Sequence, residues 1–207
     1  KISAGLLNGE KAALYIEDPF VNVTGTPPDE IVLCESFKKA EQYSYQIIIT
    51  GSLEQYVKGR ESEVKEPEQE GCSLLLLPRN IAAGIGCRKG IEESVLENGF
   101  LGILAENGVD IRQVKSIASI DLKKNEPALL HLCEKYRIPF ETYTAEELRS
   151  VSDVTTASEF VKKITGVDNV CERAARLSCS AGSMIQGKRI REGMTAALVK
   201  CPMEITF

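Results

Sequence analysis

Between residues 81 and 90 the chain reads Ile81-Ala82-Ala83-Gly84-Ile85-Gly86-Cys87-Arg88-Lys89-Gly90, and no other segment restricts the fold as much. Its first seven residues are small or apolar and form a strand candidate that ends in glycines and cations. A helix follows. Glu92 and Glu93 occupy its first turn, where carboxylates complement the macrodipole. Leu96, Phe100, Ile103 and Leu104 fall on one face, and Asn107-Gly108 ends it. A strand that turns through glycines into an amphipathic helix is the opening of an alternating α/β arrangement.

The alternation continues. Residues 114–120 read as the next strand, closing on Asp121, and Pro127 at a first helical position opens a helix with Leu129, Leu132, Cys133 and Tyr136 inward. Ile138-Pro139 stops that helix before a short strand over 140–143. Ser158 is placed to cap a helix carrying Phe160, Val161 and Ile164, which ends at Gly166. Asn169 and Glu172 have capping-box spacing at the start of a last helix over 170–180, ended by Ala181-Gly182. Met184-Ile185 and residues 194–199 read as a closing strand pair, with the basic stretch 186–191 as the turn between them. This order predicts a three-layer α/β/α domain with a mixed sheet over residues 81–207. Residues 1–80 predict a smaller α/β region. There Ala12–Ile16, Ile31–Cys34, 47–49 and 74–77 are short apolar runs that suit strands covered by helices, broken at Pro27-Pro28 and by a polar loop over 58–71.

Composition narrows the class. A chain of 207 residues with 43% hydrophobic and 27% charged residues is neither disordered nor fibrous. No apolar run approaches the ~20 residues needed to cross a bilayer. The net charge of −5 argues against a general nucleic-acid binder. Residues 1–80 hold 8 basic and 13 acidic groups, whereas 81–207 hold 17 of each, so the second part is free to carry local basic patches. Seven cysteines, scattered and without a Cys-x-x-Cys pair, fit neither a disulfide framework nor a zinc ribbon and suit a reducing cytosol. The start at Lys1 is read as that of a piece of a longer protein.

Two constellations carry chemistry. In Gly84-x-Gly86-x-x-x-Gly90, backbone N–H groups at a strand-to-helix turn suit an anion, with Arg88 and Lys89 adding charge; a tight structural turn is the alternative. The last glycine is one residue too distant for a dinucleotide fingerprint, although Asp121 ends the next strand as in such folds. The second is Ser119-Ile120-Asp121-Leu122-Lys123 with Glu126, at the carboxyl edge where open sheets bind ligands. An Asp and a Lys there can position water and move a proton, or can merely cap a helix and face solvent. His131 points away from the Leu129/Cys133 face, which leaves no Ser-His-Asp or Cys-His pair and no histidine metal cluster. Without a base, Cys87 reads as a structural thiol. Lys188, Arg189 and Arg191 grip an acidic ligand or solvate a turn, the turn being the default.

Taken in order, four motifs resemble the carboxyl-terminal domain of the CbiG family, which also occurs alone as CobE. They are the 84–90 loop, Ile117-Ala118-Ser119-Ile120-Asp121-Leu122-Lys123 with Glu126-Pro127, Thr165-Gly166-Val167-Asp168-Asn169-Val170-Cys171-Glu172-Arg173-Ala174-Ala175, and Ala181-Gly182. Residues 1–80 resemble that family's central region more loosely. The resemblance implies a cytoplasmic cobalt-precorrin-5A hydrolase of anaerobic cobalamin biosynthesis. Such an enzyme opens the ring-A δ-lactone of the corrinoid and releases acetaldehyde to give cobalt-precorrin-5B. It implies Asp121 as acid/base and Lys123 as oxyanion or carboxylate partner, with Glu126 and Glu172 in reserve as catalytic groups. Gly86, Cys87, Arg88, Lys89, Gly90, Ser119, Glu172 and Lys188 are the implied substrate-binding residues.

No protein-bound cofactor is expected, because the cobalt arrives with the substrate, and no metal ligands are assigned. The expected partner is a small-molecule corrinoid; neither nucleic acid nor membrane is expected, and a homodimer is left open. Two features depart from the family. The Gly/His-rich first domain of full-length members has no counterpart here, and Ile91 follows Gly90 where the family often has Thr. The principal alternative is a non-catalytic corrinoid-binding or carrier module of the CobE type, and a nucleotide-binding module is the third.

Overall fold

The structure is a computed structural model and describes residues 1–53, 72–152, 154 and 166–207. The expected polar loop over 58–71 and the helix capped by Ser158 lie outside the described residues. The chain divides into two compact units, residues 1–78 with 202–207, and residues 79–201. The final six residues thus group with the first unit. No helix among the described residues is long and apolar enough to cross a membrane.

The first unit is built on a parallel sheet of β1 (Ala12–Ile16), β3 (Ile31–Cys34), β4 (Tyr45–Ile49) and β5 (Cys72–Leu76), in the order β3-β1-β4-β5. A separate parallel pair joins β2 (Val21–Thr24) to β11 (Met203–Thr206). Two short helices, α1 (Ile2–Leu7) and α2 (Phe37–Ala40), accompany these strands among the described residues. Leu14, Val21 and Ile49 form its buried cluster. The four apolar runs are strands, but covering helices do not bury all of them. β3 and β5 are the sheet edges and leave Leu33, Leu74 and Leu76 exposed.

The second unit is a three-layer α/β/α domain. Its mixed sheet has the order β8-β7-β6-β10-β9. β6 (Ile81–Cys87), β7 (Val114–Ile120) and β8 (Phe140–Tyr143) run parallel. β10 (Met194–Lys200) is antiparallel to β6, and β9 (Ser183–Arg191) is antiparallel to β10. On one face Ile81, Ala83 and Ile85 of β6 and Met194, Ala196 and Leu198 of β10 pack against α3 (Glu93–Glu106) and α4 (Pro127–Tyr136). The alternate residues, Ala82, Ala197 and Val199, meet α6 (Val170–Ser178) on the other face. Ala118 and Ile120 of β7 pack there too, against α6 and Leu148 of α5 (Ala145–Ser150). The two-residue period of each central strand therefore loads both layers at once.

Gly84 sits where α6 crosses β6. A Cβ at this position would overlap the Cys171 carbonyl oxygen, far inside van der Waals contact, and lie 2.7 Å from the Ala175 nitrogen. The glycine is thus a packing residue for the α6 layer, which the motif spacing alone did not reveal.

Two expectations are corrected here. The basic stretch 186–191 is not a turn: β9 runs unbroken from Ser183 to Arg191, and the chain reverses at Glu192-Gly193. β9 is an edge strand, so charged side chains stay solvated without interrupting it. Arg189 Nε reaches Glu106 Oε2 of α3 at 3.1 Å, and Arg191 pairs with the same carboxylate. The cysteines are not all unpaired either. Cys179, just past α6, is disulfide-bonded to Cys201, just past β10, with Cα atoms 6.0 Å apart. The strand end and helix end that carry them converge in one apolar cluster.

Candidate functional site

The carboxyl ends of β6 and β7 open into a cavity of about 850 Å³, whose lining also includes residues of β9, β10 and the start of α6. The sheet topology explains the position. β6 and β7 deliver their terminal loops to one edge, and the β9–β10 hairpin returns beside them because Met194 pairs with Cys87 and Thr195 with Gly86.

At the foot of the cavity lies a buried ion pair. Lys123 Nζ donates to Glu126 Oε2 at 2.7 Å, with side chains only 15% and 5% exposed. The other carboxylate oxygen, Oε1, accepts the Gly90 backbone N–H at 2.9 Å. That donor is available because Gly90 takes φ +65°, a conformation that L side chains rarely adopt. The loop between β6 and α3 is thereby tied to the segment between β7 and α4 through one carboxylate. Locally, the 3₁₀ turn Asp121–Lys123 ends β7, and Pro127 starts α4 with Glu126 as its N-cap. This places Lys123 and Glu126 three residues apart on a tight bend, where their side chains meet.

The expected binding residues Gly86, Cys87, Arg88, Lys89, Gly90, Ser119 and Lys188 all line the cavity, as do Lys123 and Glu126. Arg88 is fixed to the hairpin by its own N–H, which donates to the Gly193 carbonyl at 3.0 Å. Ser119 is buried, and its hydroxyl donates to the Ile85 carbonyl at 2.6 Å, so it braces β7 against β6. Asp121 is absent from the lining; the chain turns at Ile120, and it is Leu122 and Lys123 that face the cavity.

Glu172 is also absent from the lining. It is fully buried in α6, and its Oε1 accepts the Lys188 backbone N–H at 2.6 Å. That N–H is free because β9 bulges there: Gly187 and Lys188 together stand opposite Ala197. The Asn169 side chain supplies half of the expected capping box by accepting the Glu172 N–H at 3.1 Å. Glu172 therefore sets the height of Lys188 at the cavity.

Cys87 and Cys171 both line the cavity. Burial pushes each thiol up to about 11, although Lys123 beside Cys87 opposes the shift. A thiol with that value is neutral at pH 8. Only about 0.1% of Cys87 is then thiolate, against roughly a quarter of an ordinary cysteine. Pulse alkylation with iodoacetamide at pH 8, read by mass spectrometry, should leave Cys87 at least tenfold less modified than the same peptide after denaturation. Equal labelling would contradict the burial argument. His131 is exposed, with Nδ1 3.6 Å from Glu93 Oε2. Among the described residues no group of three His, Cys, Asp or Glu side chains is placed to hold a metal ion.

Several lining residues carried no signal in the sequence. Asn125 had no pattern around it, and Thr195 and Gly193 reach the site only through the antiparallel return of β10.

Known proteins resemble this chain in sequence and in fold. Residues 81–199 match the family described as CbiG_C, cobalamin synthesis G C-terminus. Over 124 residues, 59% of this chain, it is 39% identical to cobalt-precorrin-5A hydrolase of Salmonella typhimurium, of which those residues span 35%. It is 31% identical over 121 residues to Protein CobE of a Sinorhizobium species, covering 57% of this chain and 78% of that one. The crystal structure of CobE, from the cobalamin biosynthetic pathway, superimposes with a TM-score of 0.55 at 25% identity, covering 58% of this chain and 93% of CobE. The chain thus spans about a third of the length of the hydrolase it matches, and the residues matched by the family, 81–199, include all those that line the cavity. By its matched sequence and its three-layer fold, the chain belongs to the CbiG C-terminus family.

Proposed function

We propose that this chain acts in cobalamin biosynthesis on cobalt-precorrin-5A, opening its ring-A δ-lactone and releasing acetaldehyde to leave cobalt-precorrin-5B. The observation that carries this is the buried Lys123–Glu126 pair at the foot of a cavity lined by Arg88, Lys89 and Lys188. A corrinoid intermediate is rich in peripheral carboxylates, and charge-assisted hydrogen bonds from these cations would hold it. Nothing further is asked of a cofactor, since the cobalt is part of the substrate.

Lactone hydrolysis needs a water activated at the acyl carbon and a stabilised oxyanion. Glu126 is the base. It takes a proton from the water as the water oxygen bonds to the acyl carbon; when the tetrahedral adduct collapses and the acyl–oxygen bond breaks, Glu126 returns that proton to the departing oxygen and the new carboxylic acid releases its own to solvent. The Lys123 ammonium stabilises the tetrahedral oxyanion. The products of this step are a carboxylate and a hydroxyl on the two-carbon unit. In the fragmentation the hydroxyl gives its proton to the Glu126 carboxylate, its C–O bond becomes the aldehyde carbonyl, and the C–C bond to the macrocycle breaks. The electron pair passes into the conjugated ring. In this assignment Glu126 takes the role that the sequence suggested for Asp121, because Glu126 lines the cavity and Asp121 does not.

The likeness to CobE favours a second reading, a corrinoid-binding module without turnover. Visible titration with cobalt-precorrin-5A, coupled to an aldehyde reductase, separates the two. A spectral shift with stoichiometric acetaldehyde supports the hydrolase. A shift without acetaldehyde supports the binding module, and no shift removes both.

A further inference from the structure

The cavity mouth carries two apolar side chains that the cations do not explain. Leu122 is 66% exposed and Ile190 is 70% exposed, the two most exposed large hydrophobic residues among the described residues of the second unit. Both line the same cavity. They come from separate elements, Leu122 from the 3₁₀ turn that ends β7 and Ile190 from the end of β9. A single exposed apolar residue is ordinary, but two that border one cavity amount to an apolar contact surface.

Their spacing follows from the topology. β7, β6, β10 and β9 are consecutive in the sheet, so three strand spacings, about 14 Å, separate the strands that bear them. That is the breadth of a flat multi-ring ligand rather than of a single heterocycle. Between them the β6 loop presents Arg88 and Lys89, and β9 presents Lys188. A ligand that matches this layout has a broad apolar face and an anionic rim.

We infer that Leu122 and Ile190 are the specificity-determining lips of the cavity, covering the apolar face of a polycarboxylate macrocycle while Arg88, Lys89 and Lys188 take its rim. This rests on the corrinoid reading above and adds to it the two residues that distinguish a ring from any other polyanion. Water leaves both side chains when the ring is seated, so each contributes about tenfold in affinity.

The test uses the full chain and cobyrinic acid, a cobalt-containing ring with free carboxylates, followed by visible absorbance. The variants are Leu122→Ser and Ile190→Ser, alone and together, and the pair Arg88→Gln/Lys89→Gln. All four positions are solvent-facing, and a thermal melt matched to wild type confirms that each variant folds. The double lip variant should bind about 100-fold more weakly with its salt dependence unchanged. The Arg88/Lys89 variant should instead flatten the salt dependence. If wild type binds and the double lip variant stays within threefold of it, the lip assignment is wrong and the corrinoid reading stands. If wild type gives no shift with cobyrinic acid, both fall.

Discussion

Glu126→Gln should lower the rate of acetaldehyde release from cobalt-precorrin-5A by about 10²–10⁴-fold, the usual contribution of a positioned general base. The amide keeps the side chain's shape and an oxygen for the Gly90 N–H, so the β6 loop remains tied to the start of α4. What it loses is the ability to accept a proton and the charge opposite Lys123. Substrate binding should change little, because the groups assigned to the carboxylate rim are Arg88, Lys89 and Lys188. The fall should therefore appear in kcat with KM within about threefold. Asp121→Asn is the control. It lies outside the cavity lining and should leave turnover within about twofold of wild type. The opposite ranking of the two variants would return the acid/base role to Asp121.

That reassignment shows where the sequence stopped being informative. The segment 119–126 was recognisable as a ligand-facing edge, since a strand ending in Ser-Ile-Asp and a following Pro127 fixed the β7–α4 junction. Which of its acids faces the ligand depends on how the chain leaves the strand. The 3₁₀ turn Asp121–Lys123 decides this, and nothing in the residue types specifies such a turn. The strands and helices of 81–143 were legible because their apolar periods are local and their stops, Asn107-Gly108 and Ile138-Pro139, are strong. α5 escaped notice although Thr144 and Glu147 form a complete capping box at its start.

β9 was misread for a physical reason. An edge strand alternates apolar and charged residues, and with three cations in six positions that alternation resembles a solvated turn. Pairings across long separations, such as β2 with β11 or the return of β10 beside β6, leave no local trace at all. The return of β10 beside β6 also closes the cavity, so Thr195 and Ile190 could be found only in three dimensions.

Gly84→Ala should be the most damaging single-methyl change in the second unit, whereas Gly86→Ala two residues later should be tolerated. Both glycines belong to the same motif and point to the same face of β6, so an anion-binding role would rank them alike. Packing ranks them apart. At Gly84 the new methyl meets the Cys171 carbonyl and the Ala175 nitrogen, both backbone atoms of α6, and the helix must lift off the sheet to admit it. α6 also carries Glu172, whose carboxylate holds the Lys188 bulge, so the displacement reaches the cavity. Overpacking against an unyielding backbone costs about 3 kcal/mol, which lowers Tm by roughly 10 °C. At Gly86 the methyl would lie 2.8 Å from Thr195 Oγ1, a side-chain atom that rotates away, and the cost stays near 1 kcal/mol. Thermal melts of the two variants followed by circular dichroism decide the point. Equal loss of stability at the two positions would mean that α6 yields to the methyl at Gly84, and that β6 carries its first glycine for the loop rather than for the helix.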